Sequence, residues 1–79
     1  MSKKIKLIWD FRGLASGKTA EHHEIHLKEY LDKGNYILKI TGFEILNDMY
    51  AIAYLVVEEA DMIVFRDALR PHRGEVFEK

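Results

Sequence analysis

The chain has no cysteine, one proline and one tryptophan in 79 residues. Without cysteine there are no disulfides, no iron–sulfur clusters and no thiolate zinc sites. That usage fits a reducing compartment. A basic surplus is also missing. Twelve Lys+Arg stand against 13 Asp+Glu, for a formal charge of −1, and the isoelectric point is near 6.4. Binding nucleic acid non-specifically needs a cationic excess to displace counterions, so the balance argues against that partner. No apolar run approaches the roughly 20 residues that span a bilayer, so no membrane partner is expected. The opening MSKKIKLIWDF is basic, but its apolar stretch is too short and interrupted for a signal peptide. The expected location is cytoplasmic.

Apolar residues make up 48% of the chain and charged residues 32%, the balance of an ordinary globular protein. The length fits a single domain over residues 1–79. Below roughly 70–80 residues one core seldom supplies more than about 3–5 kcal/mol. Lacking disulfides, such a chain leans on a metal, on very good packing or on self-association.

Residues 4–12, KIKLIWDFR, alternate and read as a strand, with Ile5, Leu7, Trp9 and Phe11 on one face. GLASG at 13–17 is a loop, and Thr19 is the expected N-cap of a helix that ends at Gly34-Asn35. Residues 36–46 and 49–57 are β-rich and meet at Asn47-Asp48, a pair that tolerates a tight hairpin turn. That turn sets Phe43 opposite Ile52 and Thr41 opposite Tyr54. A second helix is expected over Glu58–Leu69, bounded by Arg70-Pro71, and a last strand over 74–78. The order is β-α-β-β-α-β. The expected fold class is α+β, ferredoxin-like, an antiparallel sheet with two helices on one face.

This register sorts the hairpin into two sets. Leu38, Ile40, Gly42, Ala51, Ala53 and Leu55 suit the close approach of a helix. Lys39, Thr41, Phe43, Ile45, Tyr50, Ile52, Tyr54 and Val56 form a face too apolar for open water. The expectation is a homodimer packed through that face, with Phe43, Ile52 and Tyr54 at its centre. The second helix adds to this, because Ala60, Met62, Val64, Phe65, Ala68 and Leu69 spread over more than half its circumference.

WDFRG at the end of the first strand, EHHEIHLKEY on the first helix and MYAIAYLVVEEADMIVFRDALRPH from strand into helix resemble the dimeric α/β-barrel superfamily in architecture and pattern. The resemblance implies small ferredoxin-like protomers whose sheets pack face to face. Its members include monooxygenases, isomerases and dehydratases, so shared fold says little about reaction.

Three of the four histidines fall within five residues: His22, His23 and His26. His22 and His26 are one helical turn apart on a polar flank, a pair that suits zinc, nickel or copper. The spacing is not HExxH. His23 falls on the inward stripe with Ala20, Leu27, Tyr30 and Leu31. There it is expected to meet Asp10 as a general acid–base pair, in a small-molecule pocket walled by Trp9 and Phe11. Trp9 and Asp10 alternate across the sheet, so a pocket holding both needs a twist or a strand end. His72, in RPHRG, is expected far from these histidines, because the two helices are taken to run roughly parallel. Arg70, His72 and Arg73 form a cationic cluster suited to a helix C-terminus.

Other signals fall away. GLASGKT has one residue too few between its glycines for a P-loop, although the helix start with Lys18 suits an anion. Tyr50-Ala51-Ile52-Ala53 echoes an RNA-binding strand without the basic residue and glycine before it. Three readings remain: a small-molecule site at His23, with no cofactor identified; transition-metal binding at His22 and His26; and a non-catalytic structural or interaction domain.

Overall fold

The computed structural model describes residues 3–34, 36 and 40–77. Its elements are β1 (Lys4–Arg12), α1 (Ser16–Gly34), β2 (Ile40–Asn47), β3 (Tyr50–Glu58), a 3₁₀ turn (Glu59–Asp61), α2 (Met62–Leu69) and β4 (Arg73–Phe77). The strands form one sheet in the order β2-β3-β1-β4 with every neighbour antiparallel. This is the expected β-α-β-β-α-β arrangement, and both helices pack on the same face.

Strand alternation builds the core. Leu7 and Trp9 of β1 join Leu55 and Val57 of β3 beneath Leu27 and Leu31 of α1 and Phe65 of α2. A second cluster holds Ala20, Ala51 and Ala53 with Phe11 and Phe43 packed against it. Alanines on both surfaces let α1 sit close over β3.

Several expected boundaries move. Thr19 does not cap α1. Its hydroxyl donates to the Ala15 carbonyl at 2.9 Å, and the helix starts at Ser16. Gly13, at φ 110°, makes the turn that allows this early start. The second helix is shorter than expected, because β3 continues to Glu58 and a 3₁₀ turn precedes α2. Asn35, Leu38 and Lys39 lie outside the described residues.

The hairpin register moves by one. The turn falls on Asp48 and Met49, where the Asn47 side chain accepts a hydrogen bond from the Met49 amide at 2.8 Å. An irregularity between Ile45 and Asn47 takes up the extra residue. Phe43 therefore pairs with Ala53 and Thr41 with Leu55. A one-residue slip turns every side chain of the strand over. Thr41, Phe43 and Ile45 face the helices, whereas Ile40, Gly42 and Glu44 lie on the open face.

This corrects the expected dimer face. Phe43 is on the opposite side of the sheet from Ile52 and Tyr54. On the open face Ile8, Ile52 and Val56 are only 1%, 5% and 0% exposed. Their cover is intramolecular. The Lys6 ammonium lies 4.3 Å from the centre of the Tyr54 ring, and the Arg12 guanidinium 4.2 Å from that of Tyr50. Exposed apolar side chains stand elsewhere, among them Ile45 and Leu46 on β2 and Val76 on β4.

Candidate functional site at the end of the first strand

Trp9, Asp10, Phe11 and Arg12 alternate across the sheet at the C-terminal end of β1, so each face receives a different chemistry. On the helix side the His23 ring packs against Trp9, with centroids 4.8 Å apart, and against Phe11 at 5.5 Å. Its Nε2 is buried without a hydrogen-bond partner. Burial lowers the pKa of His23, and the nearby charges of His26 and His72 lower it further. Trp9 is buried and donates its indole N–H to the Leu69 carbonyl at 3.1 Å, tying α2 to β1. The expected His23–Asp10 pair does not form, because the sheet lies between the two side chains. Trp9 and Phe11 both pack directly against the His23 ring. A groove of about 340 Å³ does open beside α1, but it is lined by Leu14, Gly17, Lys18, Glu21, Phe43, Ile45, Asn47 and Asp48.

On the open face Asp10 is a hub. Its carboxylate accepts from the Tyr50 hydroxyl at 2.5 Å, and from Arg73 Nε at 3.1 Å and Nη2 at 3.2 Å. Arg73 also donates to the Tyr50 oxygen at 3.3 Å and to Glu75 at 2.9 Å. The two-point Arg73 contact and the Tyr50 hydrogen bond hold the Asp10 pKa below the usual carboxylate value, against the opposing pull of burial. The same contacts raise that of Arg73.

His72 joins this hub, contrary to expectation. The helices follow antiparallel strands, so they run in opposite directions, and α2 ends where α1 begins. The His72 amide donates to the Ile8 carbonyl at 2.9 Å. Its Nδ1 accepts from the Asp10 amide at 2.8 Å and lies 3.9 Å from the Asp10 carboxylate. Accepting at Nδ1 places the proton of a neutral ring on Nε2. The imidazole thus completes the β1 edge just before β4 begins. Alternation alone puts Asp10 and Tyr50 on one face. Antiparallel pairing of β4 with β1 is what carries His72 and Arg73 to them. Arg70 stands apart as the left-handed cap of α2, at φ 52°.

His22 and His26 do come together, with ring centroids 4.7 Å apart in an edge-to-face arrangement. His26 turns Nδ1 toward Glu29 at 3.5 Å. Among the described residues no group of three or more His, Asp or Glu side chains is placed to hold a metal ion. Among the described residues no helix is long and apolar enough to cross a membrane. No family model, curated protein or solved structure matches this chain.

Proposed function

We propose that the protein binds a small polar molecule on the helix-free face of its sheet, at the C-terminal end of β1. One observation carries this reading. The Asp10 carboxylate fixes Tyr50 and Arg73, with His72 beside them, in one hydrogen-bonded set drawn from three strands and the segment between α2 and β4. Side chains held this way are pre-ordered for a ligand and lose little freedom on binding. Among the described residues Arg12 has an aromatic partner but no carboxylate partner, which leaves its donors for a guest. Half-exposed His72 offers the Nε2 proton beside it. His23, wedged between Trp9 and Phe11, serves the fold under this reading.

The test is an NMR titration of isotope-labelled protein with AMP, citrate and glucose 6-phosphate. The expected result is a class-selective set of shifts at Asp10, Arg12, Tyr50, His72 and Arg73, weakened at least about tenfold in Arg73→Gln. Silence at these residues up to millimolar probe overturns the reading, as do shifts centred on His23.

A further inference from the structure

Five of the eight large hydrophobic side chains that stand exposed among the described residues flank one edge of the molecule: Leu14, Ile25, Ile45, Leu46 and Met49. That edge is β2, an outermost strand of the sheet. One side of β2 is hydrogen-bonded to β3, and the other faces outward. α1 runs along it in the opposite direction. Gly17 sits so close to Ile45 that a Cβ there would meet the Ile45 Cδ1 at 3.0 Å. One helical stretch later, Glu24 accepts from the Thr41 hydroxyl at 2.9 Å. Lys18 and Glu21 line the groove between helix and strand and also a second hollow of about 280 Å³ on the surface of α1, which adds His22 and Ile25.

The two sheet edges are protected unequally. β4 is five residues long and carries Arg73 and Glu75, and His72 closes the β1 edge before it. β2 is eight residues long, with Glu44 as its one charged side chain. A long, weakly charged edge is a template for another strand.

We infer that β2 pairs antiparallel with β2 of a second copy, about a twofold axis, joining the two sheets into one. Geometry selects this occupant over an unrelated strand. α1 packs on both β2 and β3. Pairing the edges about a twofold axis normal to the sheet therefore lays the two α1 helices antiparallel on the same side of the joined sheet, the β2-side flank of each turned toward the other. A lone peptide strand would leave that helix flank bare. The flank is self-complementary, since Lys18 and Glu21 lie about one turn apart and an antiparallel neighbour presents them in reverse order. Ile25, 47% exposed on the same flank, gains a cover. The five apolar side chains offer on the order of 300 Å² per copy, enough for a modest interface once the paired backbone and polar rim are added.

Sedimentation equilibrium from 5 to 500 μM tests this. Wild type is expected to approach twice 9.3 kDa as concentration rises, and the outward amides of β2 to gain hydrogen-exchange protection in parallel. Ile45→Lys and Ile25→Lys should each weaken association about tenfold or more. Ile25 is a helix-surface position, so its variant keeps the test valid if Ile45→Lys folds poorly. Val64→Lys on α2 should leave association unchanged. A wild type monomeric at 500 μM overturns the inference. So does a dimer indifferent to both β2-side variants, or one lost in Val64→Lys.

Discussion

Burial keeps the His23 imidazole neutral, between Trp9 and Phe11, with its Nε2 unpartnered. Its folded pKa lies below the ordinary 6.5, so protonation favours the unfolded chain. The stability that His23 confers is present above pH 6.5 and drains away as pH falls from there toward the lower folded value. In His23→Leu this part of the acid loss should vanish. At neutral pH the variant should match wild type or exceed it by up to about 1 kcal/mol, since it removes a buried unsatisfied nitrogen. Urea titrations of both proteins at pH 7.5 and 5.5 measure this. If the two lose equal stability on acidification, His23 is not the group responsible. The Asp10 pKa is also lowered, by the Arg73 and Tyr50 hydrogen bonds rather than by burial, so its contribution too is lost on acidification, as pH falls below the ordinary 3.8. Arg73→Gln should raise its pKa toward the ordinary 3.8, which a carboxyl NMR titration reads directly. The inward placement of His23 was legible in the helical period, because it shares a stripe with Ala20, Leu27 and Leu31. That Asp10 is not its partner follows from the alternation of β1, because neighbours on a strand face opposite ways and Asp10 follows Trp9.

The hairpin shows where the reading of elements succeeds and where it stops. Strand existence follows from the alternation in residues 4–12 and the β-branched run of β3. Register does not, because it depends on which residues take the turn, and the Asn47 side chain moves the turn onto Asp48 and Met49. Once β2 is turned over, Gly42 faces Tyr54, whose ring lies across it. A Cβ at Gly42 would collide with the Tyr54 hydroxyl oxygen and ring. Gly42→Ala should therefore cost about 1–3 kcal/mol by forcing the ring aside. In a Tyr54→Ala background the same change should cost much less. Equal costs in the two backgrounds would show that the ring is not what the glycine accommodates. α2 was legible as an apolar helix, yet Phe65 is its one fully buried side chain, while Ile63 and Val64 are each 56% exposed. The broad apolar stripe exceeds what the sheet covers, as its breadth implied.

For the whole molecule, the fold class and the order of elements could be read from pattern. The convergence of His72, Arg73, Asp10 and Tyr50 follows from the same topology, since antiparallel strands force the two helices to run in opposite directions, but a reading that sets the helices parallel does not find it. The open face teaches the same lesson about burial. Counting apolar residues on it predicts a surface that needs a partner, but Ile8, Ile52 and Val56 are already covered by rings laid across the sheet beneath Lys6 and Arg12. The cover can be removed. Tyr54→Ala takes away the ring over Gly42 and beside Ile8, so it should uncover aliphatic surface and cost about 1–3 kcal/mol, less than a fully buried aromatic because Tyr54 is itself half-buried. It should also create a sticky face that the native chain does not present. The variant is then expected to bind an apolar dye that wild type ignores, and to form larger species than wild type does in sedimentation at the same concentration. Ile25→Lys, which acts at the β2 edge, should not suppress that extra association, because the new contacts lie on the other surface. If Tyr54→Ala instead keeps wild-type stability, dye binding and mass, the aromatic layer is not what hides the aliphatic residues beneath it.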